Sequence, residues 1–258
     1  MGYIDVHCHL SGLEIRLEEV APRWREANVE RVICSGFDLE SSLIAFAYAD
    51  ENEDIYCTAG YHPSEIGTIS EDAFALLRKI CEQDKCVGVG EFGLDYHYEN
   101  NPPKQEQKEA FIRQLVMANE LKLPVIIHSR DAAQDTLDIL REHKSLLSQG
   151  GLLHCYSYSA ELVEPFLDLG FYFSFGGPCT YKNANKVVDS VKRIPLDRLL
   201  SETDCPYLTP VPKRGEFPNE PQNVVFVAKR LAELKGVEVE AFNEQVNKNA
   251  RALFKKLK

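Results

Sequence analysis

Eight short runs rich in Val, Ile, Leu, Phe and Cys recur along the sequence, and each leads into a segment whose apolar residues are spaced for a helix. The runs are predicted as strands over 4–10, 31–36, 54–60, 85–91, 123–128, 151–154, 171–175 and 198–203. Helices are predicted over 13–28, with Pro22 as a kink or restart, and over 39–51, 71–83, 102–120, 131–147, 161–169, 183–192, 221–234 and 237–254. Ser70, followed by Glu71 and Asp72, suits the N-cap of the third helix. Most of the strands are too apolar to leave a face in water, which points to a parallel sheet with helices packed outside it. Closing that sheet into a barrel takes about 250 residues, and the chain has 258. The expected fold is therefore α/β, a single-domain (β/α)8 TIM barrel over residues 1–258 with parallel strands and outer helices. An open doubly wound sheet is the alternative, but in place of its glycine-rich first turn stands His7-Cys8-His9-Leu10-Ser11. The proline-rich stretch 206–221 reads as a rim loop.

Composition narrows the partners. With 44% hydrophobic and 27% charged residues the chain can bury a large core. No apolar run approaches the roughly 20 residues of a membrane span, and the first residues lack a signal-peptide layout. A cytoplasmic protein with no membrane partner is expected; the oligomeric state is not given by the sequence, and a monomer is compatible with it. The eight cysteines are scattered and form no Cys-x-x-Cys pair, so reduced thiols are expected rather than disulfides or a zinc knuckle. A net charge of −11 weighs against wrapping along duplex DNA, which needs many cationic contacts to phosphates. A nucleic-acid end held through metal ions stays open, because bound cations dominate the field of a pocket.

Asp5, His7 and His9 alternate along the first run and, in a regular strand, share one face. Such a polar face needs solvent, hydrogen-bond partners or a metal, and the motif alone does not choose among them. Barrel active sites lie at the carboxyl ends of the strands. There the sequence places His7, His9, Glu91, His128, His154 and Asp204. Each alone has a structural explanation, as a turn residue or a hydrogen-bonded core histidine; all six at one rim would bury charge with no counter-ion. Imidazole mixed with carboxylate suits Zn2+ or Mn2+, while Mg2+ prefers oxygen. Six ligands exceed what one catalytic ion with an open position can take, and suit two ions sharing a carboxylate. Glu91, central in barrel order, is the natural bridge. Two divalent ions per chain (Mg2+, Mn2+ or Zn2+) are expected.

The motifs Ile4-Asp5-Val6-His7-Cys8-His9-Leu10, Gly60-Tyr61-His62-Pro63, Gly88-Val89-Gly90-Glu91-Phe92-Gly93-Leu94-Asp95-Tyr96 and Ile127-His128-Ser129-Arg130 carry a family resemblance. So do Leu153-His154-Cys155-Tyr156-Ser157, Glu202-Thr203-Asp204-Cys205-Pro206-Tyr207-Leu208 and Asn219-Glu220-Pro221. In order and spacing they resemble the TatD-type metal-dependent deoxyribonucleases of the amidohydrolase superfamily. The resemblance implies a TIM barrel and 3′-to-5′ removal of nucleotides from single-stranded DNA ends. It also implies one metal held by His7, His9, Glu91 and Asp204 and a second by Glu91, His128 and His154. His62 would lie near the substrate phosphate, with a turn role before Pro63 as the alternative. Glu202 would orient a ligand histidine, and Arg130 would hold a phosphate or form an ordinary salt bridge. Asp95 and the Asn219-Glu220-Pro221 rim segment are weaker candidates still, Asn219 for substrate contact. Where family members often have glycine after His-Cys-(Phe or Tyr)-Ser, this chain has Tyr158, which bears on substrate room.

The expected catalytic set is thus Asp204, Glu91, His62 and Glu202, with Asp204 accepting a proton from the attacking water. A rim tyrosine, Tyr96 or Tyr207, would stack on an end base. Two other readings stand beside this one. The same site could hydrolyse aminoacyl-tRNA or small esters and amides, although no lysine ends a strand to serve as the carbamylated bridge common in such enzymes. A vestigial metal scaffold is the third reading, opposed by the presence of all six ligands.

Overall fold

The computed structural model describes residues 2–258, so Met1 of the expected 1–258 span lies outside the described residues. Eight strands stand side by side in chain order: β1 (Tyr3–Cys8), β2 (Val29–Ser35), β3 (Ile55–Ala59), β4 (Cys86–Asp95), β5 (Val125–Arg130), β6 (Gly151–Leu153), β7 (Phe171–Phe175) and β8 (Leu199–Ser201). Every neighbouring pair is parallel. The outer helices are α1 (Leu17–Glu26), α2 (Leu39–Glu51), α3 (Glu71–Cys81), α4 (Lys104–Leu121), α5 (Ala133–Glu142), α6 (Val163–Leu167), α7 (Asn185–Arg193), α8 (Val224–Lys235) and α9 (Val239–Leu253). The expected (β/α)8 barrel is the observed fold. The first, fifth and sixth helices are shorter than predicted; Pro22 sits inside α1 rather than dividing a longer helix. No helix of the described residues is long and apolar enough to cross a membrane.

The two faces of the sheet are apolar for different reasons. Outward residues such as Val32, Cys57, Val125, Phe173 and Leu199 pack under the helices in one continuous core. Ile4, Val6, Ile33, Tyr56, Val87, Ile126, Leu152 and Leu200 form a separate cluster, joined by Leu253, Phe254 and Leu257 from the chain's end. Seven of the strands contribute to this inner layer, which fills the barrel interior as side chains do in this fold. Positions nearer the carboxyl ends are polar instead: Ser35, Thr58, Ser174 and Glu202 are all buried there. All eight cysteines are free, and all but Cys155 are fully buried.

Two strands break regular pairing at the residues of interest. Asp5 lies opposite Val32 and Cys8 opposite Cys34, three steps on β1 against two on β2. Likewise Val89 lies opposite Val125 and Phe92 opposite Ile127, three steps on β4 against two on β5. Each extra residue resets the inside–outside alternation and re-aims the side chains beyond it. Asp5 therefore does not share a face with His7 and His9, contrary to the expectation from a regular strand. Glu91 does not end its strand either, since β4 continues to Asp95. The irregular peptide at Gly90–Glu91 is cis, and Gly90 has φ +148°, where a Cβ would press against the Ile126 backbone.

β1 and β8 meet at their carboxyl ends and bring the barrel close to closure. The Asp204 amide donates to the His7 carbonyl (3.0 Å) and the His9 amide to the Cys205 carbonyl (2.6 Å). The Asp5 carboxylate accepts from the Thr203 amide (2.9 Å) and hydroxyl (2.5 Å). Asp5 is fully buried, and burial pushes its pKa well above the ordinary value against the pull of the Thr203 bonds. Truncation would leave three buried donors, the Thr203 amide and hydroxyl and the His7 amide, without this partner, so Asp5→Ala is expected to lower the unfolding free energy by about 3 kcal/mol. Urea denaturation of chelator-treated protein checks this without a metal contribution.

Candidate metal centre

Six side chains from five strands and the turns that follow them converge above the inner apolar layer. His7 Nε2 and His9 Nε2 are 3.2 Å apart. His128 Nδ1 and His154 Nε2 are 3.3 Å apart. Glu91 stands between the two pairs: Oε1 is 3.5 Å from His9 Nε2, and Oε2 is 3.5 Å from His7 Nε2 and 2.7 Å from His154 Nε2. Asp204 approaches from the other side, with Oδ1 3.5 Å from His9 Nε2 and 3.8 Å from His7 Nε2. It follows β8 by three residues in a left-handed conformation (φ +55°) instead of ending that strand.

In three of the four rings the opposite nitrogen is fixed from behind. His7 Nδ1 meets the Ser35 hydroxyl (3.1 Å) and His9 Nδ1 the Ser35 carbonyl (2.9 Å), so one residue at the end of β2 orients both. Ser35 in turn accepts from the Thr58 hydroxyl (3.1 Å). His128 Nε2 bonds Asp95 Oδ2 at 3.1 Å, and Asp95 Oδ1 accepts from the His97 amide at 2.9 Å. Behind His154, Glu202 Oε1 is 3.8 Å from Nδ1, beyond hydrogen-bond range. The same carboxylate accepts from the Cys155 amide (2.7 Å) and the Ser174 hydroxyl (2.5 Å).

Four groupings of these donors could hold an ion: His7, His9 and Asp204; Glu91, His128 and His154; His7, His154 and Glu202; and His62, Asp95 and His128. The third would draw on a Glu202 carboxylate already committed to two donors. The fourth would break the Asp95–His128 bond. The first two use nitrogens and oxygens with no such commitment, and Glu91 adjoins both. Their separations of 3.2 and 3.3 Å are what two nitrogens about 2.0–2.1 Å from one tetrahedral ion would show. Glu91 Oε2 is buried and makes no well-directed hydrogen bond, His154 Nε2 lying 2.7 Å away but out of line, a costly arrangement unless a cation satisfies it. The donor set therefore fits divalent metal.

Burial opposes charge on these groups, and neighbours decide the outcome. His154 is nevertheless raised well above the usual imidazole range by the Glu91 and Glu202 carboxylates, and Glu91 is held well below the carboxylate range by His154, His9 and His7. His9 is raised by Asp204 and Glu91 against burial. His7 is pushed well down by burial and by the adjacent His154. Without metal the centre is thus a Glu91 carboxylate compensated by shared imidazole charge.

The mouth is a cavity of about 610 Å3 lined by His9, Glu91, Asp95, His128, His154 and Asp204, with His62, Glu65, Tyr98, Arg130 and Tyr207 around it. His62 leans its ring on His128, centroids 4.2 Å apart. Its Nδ1 lies 2.8 Å from the Ser64 hydroxyl and 3.2 Å from the Ser64 amide, and burial beside His128 lowers its pKa to about 3. Arg130 stands exposed at the rim against Tyr98, Nη1 3.2 Å from the phenol oxygen. Three expected residues lie elsewhere. Glu202 is fully buried behind His154, in a positioning role and out of reach of substrate. Asn219 is fully buried too, its amide donating to the Thr203 and Tyr207 carbonyls and its oxygen accepting from Asn223 and the Glu220 amide, so it braces the rim loop and does not contact substrate. Tyr96 donates to Asp135 (2.7 Å) under Lys104 and offers no free face to the cavity, whereas Tyr207 does, at 55% exposed. Ser35 and Tyr98 are absent from the residues that the sequence singles out. Ser35 carries a signal all the same, as a polar residue closing an apolar run.

Residues 4–255 match the family described as TatD related DNase. The chain is 42% identical to the uncharacterized metal-dependent hydrolase YabD of Bacillus subtilis (strain 168), over 97% of this chain and 98% of that one. It is 38% identical to the uncharacterized metal-dependent hydrolase YcfH of Escherichia coli (strain K12), over 98% and 96%. The crystal structure of the TatD homolog YJJV from E. coli K12 superposes with a TM-score of 0.91 at 30% identity, covering 98% of each chain. On the family match and these relatives, the chain belongs to the TatD-related DNase family of metal-dependent hydrolases.

Proposed function

We propose that this chain hydrolyses DNA phosphodiester bonds with two divalent ions, Mg2+, Mn2+ or Zn2+, and removes nucleotides from the 3′ ends of single strands. His7, His9, Glu91 and Asp204 would hold one ion and Glu91, His128 and His154 the other. The observation that carries this is the pair of close nitrogen–nitrogen approaches on either side of the single carboxylate of Glu91. When bound, two divalent ions would supply Lewis-acid polarisation of a phosphate and acidification of a water.

The chain's own groups divide the remaining tasks. Asp204 keeps 14% of its side chain open to the cavity and accepts the proton released by the attacking water. His62, neutral at pH 7, stands at the mouth to hydrogen-bond the phosphate without itself titrating there. Arg130, at the rim, meets a further oxygen with a charge-assisted bond. Ser35 and Asp95 hold ring orientations, and the Glu202 carboxylate supplies charge behind His154, a precision on which metal geometry depends. The net charge of −11 suits capture of a strand end in a cationic pocket better than tracking along a duplex. Tyr207, exposed at the mouth, offers a face for an end base.

Chelated and metal-reloaded protein, assayed on linear and circular single strands, duplex DNA, RNA and aryl esters, tests the reading. Metal-dependent shortening of linear strands with circles left intact is expected. Equal attack on circles removes the exonuclease assignment; hydrolysis of esters or of aminoacyl-tRNA in place of DNA removes the nuclease. Because Asp95 holds His128 from behind, Asp95→Ala is expected to weaken the ion at Glu91, His128 and His154 by about 10–100-fold. Calorimetric titration of the chelated protein would show that site, and only that site, moving to lower affinity.

A further inference from the structure

Arg130 lines two cavities. One is the metal pocket, and the other, of about 470 Å3, lies on its far side and includes His97, Asp131, Ser157, Tyr158 and Lys186. Among the described residues Arg130 has no carboxylate partner, only the Tyr98 hydroxyl and ring, whose centroid is 5.1 Å from the guanidinium carbon. Lys186, on the first turn of α7, forms no ion pair or side-chain hydrogen bond with a described residue. Two uncompensated cations thus border one cavity on a chain of net charge −11. The cavity's acid, Asp131, is already bonded to His97 Nδ1 at 2.8 Å. Tyr158 forms the wall, its hydroxyl tied to Ser129 (2.8 Å) and to the Ala132 amide (3.1 Å), so its ring is fixed in place.

We infer that this second cavity is the subsite for the next phosphate of a single-stranded substrate, held between Arg130 and Lys186. The inference rests on the nuclease reading and extends it: the strand leaves the metal pocket across the Tyr98–Arg130 pair and places its following phosphodiester in the neighbouring cavity. Tyr98, 52% exposed between the two, is positioned to stack on the intervening base. A dinucleotide has one phosphodiester and leaves the subsite empty; a trinucleotide fills it.

Binding of a fluorescein-labelled decathymidylate to chelated protein, followed by anisotropy over a range of salt, separates this from the catalytic assignment. Lys186→Ala is expected to weaken binding about three- to fivefold at low salt and to reduce the slope of log affinity against log salt by about 0.7, one phosphate contact on a single strand. Lys186→Arg should restore the slope. In metal-loaded protein, Lys186→Ala should lower the ratio of kcat/KM on a trinucleotide to that on a dinucleotide by a similar factor. An unchanged slope and ratio in a protein that cleaves both substrates overturns the subsite and leaves the nuclease standing. Absence of cleavage of either substrate, with no salt-dependent binding by the parent chain, overturns both.

Discussion

A single carboxylate, Glu91, buried among four imidazoles at the mouth of the barrel, is the constraint that shapes the rest of this molecule. Removing a carboxylate from water costs several kcal/mol unless cations or donors compensate it. Here compensation is collective: His154 approaches to 2.7 Å, while His7 and His9 stand 3.5 Å away. The resulting charge balance holds without metal, yet Glu91 Oε2 has no well-directed hydrogen bond, only the close approach of His154. Divalent metal would satisfy these groups, and the donor set fits that role better than it fits a buried ion-pair network.

The barrel provides this arrangement by departing from regularity in two places. Parallel strands of period two would send alternate residues inward at one height per strand, too evenly to bring six donors together. An extra residue on β1 turns His7 toward the mouth after Val6 has served the inner layer, and an extra residue on β4 does the same for Glu91. The bonds from Asp204 to His7 and from Thr203 to Asp5 then fix the turn after β8 against β1, carrying the Asp204 carboxylate to the histidines. Apolar packing below, bulges at mid-strand and tethered turns above form one continuous support.

Much of this is legible in the sequence because barrel strands are short, apolar and ended by whatever chemistry the site uses. His128 and His154 stand next to apolar runs and need no tertiary knowledge to be suspected. The alternating pattern misplaces Asp5 because a bulge leaves no trace in it. Ser35 and Asp95 orient histidines on other strands, and such partnerships depend on register. Asn219 reads as a rim residue open to substrate, yet it is committed to the loop backbone because the proline-rich turn leaves carbonyls that only an inward amide satisfies. Tyr98 and Tyr96 differ by two positions in the sequence, and only the packing of Lys104 and Asp135 tells which one faces the cavity.

The overall negative charge is compatible with an anionic substrate at the mouth because field strength near a pocket is set by local groups and bound ions. Whether two ions bind on either side of Glu91 decides the matter. An anomalous difference map from a crystal soaked in Mn2+ is the direct measurement. Two peaks, one among His7, His9 and Asp204 and one between His128 and His154, both within bonding distance of Glu91, are predicted. A single peak, or peaks that avoid Glu91, would contradict a carboxylate-bridged two-metal centre.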